Sequence, residues 1–199
     1  DECIVTASTT LIACSHGTRS ARAAGLVTAA VEAVAAKLPG TRVIEMFVDV
    51  QQPELAGALP GVTGPVVVLP LFLSRGYHVH HDIRAAVAAH RHAVLTAPLG
   101  PDPVLADLQL SRLRQAGMRG GEAVVLAASA SSDQRAVRDV SRAARLLEHR
   151  LGTEVTVGVV GGAGVPVEEA VAAARRRSGR VAVSSYLLMP GYFHAQVAA

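Results

Sequence analysis

The chain has 199 residues, half of them hydrophobic and only 3% aromatic, enough for one large domain or two small ones with aliphatic cores. Its net charge of +3 comes from dispersed arginines without interleaved aromatics, which argues against a nucleic-acid surface. The longest apolar run, Val66 to Leu73, is interrupted by Pro70 and is too short to cross a bilayer. Asp1 and Glu2 stand where a secretory leader carries positive charge. Cys3 and Cys14 are too few for a disulfide framework. The expected compartment is the cytoplasm.

Along the chain, strand and helix alternate. Leu11 to Ser15 reads as a short buried strand, followed by a turn at His16-Gly17 and a long amphipathic helix over 20–38. Arg42 to Val48 is the second strand, 53–59 a short helix, and Pro65 to Leu73 the third strand. A helix over 82–91, a strand near 93–96 and a helix over 103–116 follow. Continuous apolar strands separated by helices imply a parallel sheet covered on both faces. Asp82, placed before the 82–91 helix, reads as its N-cap. His90 and His92 stand where that helix closes.

The second half repeats this order. Val125 to Ala130 matches Leu11 to His16, sharing an Ala and a Ser, and Leu151 to Val155 echoes Leu38 to Val43 with one residue deleted. Gly179 to Phe193 matches Gly64 to His78. These matches make the chain a duplicated α/β unit. The first unit is expected over 1–116 and the second over 122–199, with a glycine-rich linker near 117–122 and the final strand and helix of the second repeat missing.

Ligands of open parallel sheets bind beyond the carboxyl ends of the strands. Three groups with metal affinity fall there: His16 after the first strand, Asp49 after the second and His78 after the third. Two imidazoles and a carboxylate suit a borderline divalent cation. Each also has a plain structural reading, the histidines as hydrogen-bonded loop residues and Asp49 as the cap of the helix near Pro53. By this alignment their counterparts in the second half are Ala130, Gly161 and Phe193, so one metal site per chain is expected.

Four blocks carry a more specific signal: Ser15-His-Gly-Thr-Arg19, Phe47-Val-Asp-Val-Gln-Gln-Pro53, Pro70-Leu-Phe-Leu-Ser-Arg-Gly-Tyr-His-Val-His-His-Asp-Ile83 and Pro98-Leu-Gly100. In order, they resemble the signature blocks of the sirohydrochlorin chelatases, a family of class II chelatases. The resemblance covers nearly all of the first half and implies two tandem chelatase-like lobes, each a small parallel sheet flanked by helices. It implies insertion of a divalent metal into a modified tetrapyrrole, ferrous iron being favoured and cobalt the alternative, with no cofactor beyond that substrate metal. It places metal binding and proton acceptance on His16 and His78. It also puts a carboxylate at the second strand end, usually Glu in the family and Asp49 here.

The substrate's carboxylates need donors. Ser15, Gly17, Thr18, Arg19, Arg75, Gly76 and Tyr77 lie near the relevant strand ends and are the expected substrate contacts. The partners implied are the tetrapyrrole and the metal, with neither nucleic acid nor membrane, and a monomer because two lobes are fused. A non-catalytic carrier of metal or tetrapyrrole would use the same histidines. A hydrolase built on Cys14 or Ser15 lacks the Gly-x-Ser-x-Gly elbow.

Overall fold

The computed structural model describes residues 9–198, so the readings placed on Asp1, Glu2 and Cys3 lie outside the described residues. Contacts divide the chain into two compact units. One runs through Phe72 and resumes over Tyr77–Leu99, and the other takes Leu73–Gly76 and everything from Gly100 onward.

The first unit holds β1 (Thr10–Ser15), β2 (Arg42–Phe47), β3 (Val66–Pro70) and β4 (Ala93–Leu95), all parallel, in the order β2-β1-β3-β4. Helix α1 (Ala21–Lys37) starts where Ser20 Oγ accepts the Ala23 N–H at 3.3 Å. It buries Ala23, Val27 and Val31, which recur every four residues along one face. The short α2 (Leu55–Ala58) runs into a 3₁₀ turn at Leu59–Gly61. Its cap is Glu54, which accepts from Ala56 and Gly57 N–H, and not Asp49, which accepts from Val50 N–H instead. The next helix begins at Tyr77, passes through a π turn at Val79–Ile83 and ends as α3 (Arg84–Ala88). Asp82 therefore lies inside a helix and does not cap one. Ile12, Cys14, Leu55, Leu59, Val68 and Ile83 form the core between sheet and helices.

The second unit contains α4 (Pro103–Gln115), β5 (Ala123–Ser129), α5 (Gln134–Leu151), β6 (Val155–Val160), α6 (Val167–Ser178), β7 (Val181–Tyr186) and α7 (Tyr192–Ala198). Its sheet is parallel, in the order β6-β5-β7. The compact units do not follow the division at 116–122. Helix α4 packs on α5 and β7, where Leu113, Leu105 and Leu110 join the core formed by Leu126, Leu147 and Tyr186. Apolar burial, and not proximity in sequence, decides which unit a helix belongs to.

The duplication is visible in the backbone, with a correction of register. Thr10 pairs with Val66 and donates to Pro65 O, and Ala123 pairs with Val181 and donates to Arg180 O. An isolated bridge joins Phe47 to Glu54 and another joins Val159 to Pro166. The caps Ser20 and Asp133 open the equivalent helices. Thr10 thus corresponds to Ala123, one residue before the position suggested by matching Leu11 with Val125. The core agrees: Ile12 and Cys14 pack with Leu55 and Leu59, as Val125 and Ala127 do with Ala170 and Val167. A slip of one residue would turn every strand side chain to the opposite face. The counterpart of His16 is therefore Ser129, not Ala130, while Gly161 and Phe193 remain the counterparts of Asp49 and His78.

Candidate functional site

The first unit's strand ends bring two of the expected residues together. His16 follows β1 directly and His78 opens the helix after β3, and their rings meet edge to face with centroids 4.6 Å apart. β1 and β3 are adjacent parallel strands, so residues far apart in sequence leave the sheet side by side. His16 Nδ1 lies 3.2 Å from its neighbour's carbonyl, Gly17 O, and His78 Nδ1 lies 2.7 Å from Asp82 Oδ2.

Asp49 belongs to the same loop cluster without joining the pair as a ligand set. Its N–H donates to His16 O at 3.0 Å, but its carboxylate turns back to accept Val50 N–H at 2.7 Å. Among the described residues, no group of three or more His, Cys, Asp or Glu side chains is arranged to hold a metal ion. Val50 has φ of 66°, a left-handed conformation that is costly for a β-branched residue and is held by the surrounding loop. Gly17 has φ of 89°, and a Cβ there would strike the Asp49 carbonyl. Only glycine permits this close approach of the two loops.

The expected substrate contacts divide into three groups. Arg19 and Tyr77 are exposed, and the Tyr77 ring meets His78 edge to face at 5.9 Å and stacks on His81 at 4.8 Å with 16° between planes. Ser15 is buried, and its Oγ has no hydrogen-bond partner among the described residues, so it presents no hydroxyl on the surface. The Thr18 N–H, expected to be open to a ligand, instead donates to Gln51 Oε1 at 2.8 Å. Gln51 thereby fixes the His16-Gly17-Thr18 turn, and its only sequence signal is its place in the Phe47–Pro53 block.

Arg75 and Gly76 pack within the second unit. Arg75 donates to the Asp139 carboxylate through Nη2 (2.6 Å), Nε (3.0 Å) and its own backbone N–H (2.8 Å). Two of its guanidinium nitrogens are thus already committed to an internal partner whose side chain is 2% exposed. Burial pushes the Asp139 carboxyl up, but the Arg75 hydrogen bonds and charge prevail and hold it below the ordinary carboxylate value.

Cys14 is fully buried, and burial, helped by the charge of Glu54, raises its thiol to about 12. Such a thiol is not a nucleophile near neutral pH, which removes it from the hydrolase reading.

The CbiX family model matches residues 10–116, the stretch that carries β1 to β4 and both histidines. The chain belongs to the CbiX family. No curated relative matches it. Among solved structures, this CbiX-family chain is similar to SirB from Bacillus subtilis with Fe3+, at a TM-score of 0.82 and 22% identity over 96% of this chain and 81% of that one. It is also similar to the sirohydrochlorin chelatase SirB from Bacillus subtilis subspecies spizizenii in complex with cobalt, at 0.67 and 21% over 96% and 90%. A third similar structure is CbiX, the terminal enzyme for biosynthesis of siroheme in denitrifying bacteria, at 0.59 and 23% over 87% and 89%. At these identities the likeness establishes the fold, two parallel sheets flanked by helices. No helix among the described residues is long and apolar enough to cross a membrane.

Proposed function

We propose that this CbiX-family protein is a chelatase that inserts a divalent metal, ferrous iron in preference to cobalt, into sirohydrochlorin. The observation that carries the reading is the pair of imidazoles at the ends of adjacent strands, His16 and His78, with ring centroids 4.6 Å apart. Family membership supports the same reaction, and the similar proteins described with Fe3+, with cobalt and in siroheme biosynthesis support both metals and favour iron.

Insertion exchanges two pyrrole protons for one cation, so each turnover needs a metal donor and a route for two protons. A neutral imidazole does either task, as a ligand through a ring lone pair or as a base through the same lone pair. Both imidazoles carry their Nδ1 against an oxygen, which leaves both Nε2 atoms to do this work. The exposed Arg19, three residues after His16, and the exposed Tyr77 ring beside His78 suit an anionic, planar macrocycle. Asp49 adds a carboxylate that can reach the cation through water once it leaves Val50 N–H.

The test is anaerobic incubation of the purified protein with sirohydrochlorin and either ferrous iron or cobalt, followed by absorption spectra. Faster insertion than with metal alone supports the reading. Binding of macrocycle or metal without faster insertion by either metal replaces it with a carrier.

A further inference from the structure

The two histidines share a feature that the insertion reading does not require. Each points Nδ1 at an oxygen: the Gly17 carbonyl for His16, at 3.2 Å, and the Asp82 carboxylate for His78, at 2.7 Å. A carbonyl can only accept, and a carboxylate accepts in its charged form, so Nδ1 carries the hydrogen in both rings. The lone pair of each neutral ring is then on Nε2. Asp82 is four residues after His78 in the Tyr77–Ala88 helix, the spacing that brings two side chains onto one face. Tyr77 and His81 form a second pair with the same spacing, stacked at 4.8 Å. The Tyr77 ring also meets His78 edge to face, with centroids 5.9 Å apart.

We infer that Asp82 is a positioning residue that locks His78 in its Nδ1–H tautomer and aims Nε2 at the cargo metal. The role rests on the chelatase reading for the identity of the cargo, but the tautomer itself does not. In free neutral imidazole the hydrogen favours Nε2, the wrong nitrogen for this task. A carboxylate on Nδ1 reverses that preference, fixes the ring plane and makes Nε2 a better donor, the arrangement recurrent behind metal-ligating histidines. Gly17 O gives His16 a weaker, neutral version of the same restraint.

Two measurements test this on the full chain. The first needs no metal: long-range ¹H–¹⁵N spectra of the histidine side chains report which nitrogen is protonated. The wild type is expected to show His78 as the Nδ1–H tautomer, and Asp82→Ala to return it to mostly Nε2–H. Asp82→Asn, whose amide oxygen still accepts, is expected to keep much of the Nδ1–H form. The second is cobalt titration followed by visible absorption, in which Asp82→Ala should weaken binding by about 10- to 100-fold and Asp82→Asn by less. Asp82 has a side chain 42% exposed, so neither variant opens a core cavity. An Nε2–H His78 in the wild type, or cobalt affinity unchanged in Asp82→Ala, overturns the inference. If no metal speeds sirohydrochlorin insertion while the tautomer and cobalt affinity still follow Asp82, the positioning role stands and the proposed reaction falls.

Discussion

The two units share a backbone and differ at its strand ends. In both, an oxygen-bearing cap starts the helix after β1 or β5, a bridge closes the loop after the next strand, and a Gly-Tyr pair opens the helix after β3 or β7. The first unit fills the three strand-end positions with His16, Asp49 and His78, and the second with Ser129, Gly161 and Phe193. The Phe193 ring lies against Gly161 so closely that a Cβ there would overlap it. The second unit's equivalent of the site is therefore packed by an aromatic ring where the first carries imidazole and carboxylate. Pairing and capping specify the fold and survive duplication. The polar side chains at the strand ends do not survive with them.

The largest effect should come from deleting that chemistry. His16→Ala and His78→Ala are each expected to lower insertion by about 10²- to 10⁴-fold, the range for losing a positioned base or ligand. Circular dichroism and thermal melting should be little changed, because neither residue belongs to the buried core. Near-normal turnover by either variant would remove that residue from the mechanism.

Arg75→Ala probes a difference in the opposite direction, a polar group that only the second unit owns. Asp139 is buried on α5, while its counterpart on α1, counted from the two caps, is the exposed Leu26. Removing the arginine side chain takes two hydrogen bonds and the adjacent charge from a buried carboxylate, leaving it the backbone N–H of residue 75 and the charge of Arg142, a change that costs about 1–3 kcal/mol. Urea unfolding should register a loss of this order; a loss below about 1 kcal/mol would show that the pair is solvated. The pH dependence has a definite sign. The folded Asp139 carboxyl is held below its unfolded value of about 3.9, so the stabilisation is complete above that pH and fades as pH falls towards the folded value. Asp139→Asn should flatten this acid limb of stability.

Metal stoichiometry sharpens the comparison further. Calorimetric titration with cobalt should give one site per chain, and two equivalent sites would erase the distinction between the units. The register dictates how to attempt a second site: Ser129→His with Phe193→His places imidazoles at the true counterparts, whereas Ala130→His turns the ring towards another face. The double variant is expected to add a weaker site, because Gly161 supplies no carboxylate.

The smallest effect concerns the glycines that let the loops meet. Gly17→Ala places a side chain at φ 89° against the Asp49 carbonyl, and should cost about 1–3 kcal/mol and disturb metal binding. Gly161→Ala, at φ 76° against the Phe193 ring, should cost a similar amount and leave metal binding unchanged.

Much of this was legible in the sequence. Apolar runs gave the strands of the first sheet, the internal repeat carried their order to the second, and strand-end position singled out His16 and His78 without any knowledge of the pairing. The register of the repeat was misplaced by one because shared Ala and Ser residues outweighed the alternation of faces, which only the packed cores of Ile12 and Val125 settle. Asp82 was misread because an aspartate before an apolar stretch signals a cap equally well whether the helix starts there or five residues earlier. Arg75 with Asp139, 64 residues apart, leaves no local pattern at all. Helix α4 lies within the 10–116 family match, as its place in the first repeat implies, yet its leucines fill the core of the second unit, a packing that order along the chain does not reveal.

Cys14 stands two residues before His16, its sulfur sealed between the strands that carry Met46 and Pro70. Softer than any nitrogen or oxygen donor nearby, a thiolate at that position would grip iron or cobalt tightly. Kept protonated by the core, it stays out of the competition. For the proposed insertion this leaves nitrogen and oxygen donors at the strand ends, from which a cation is more readily passed on.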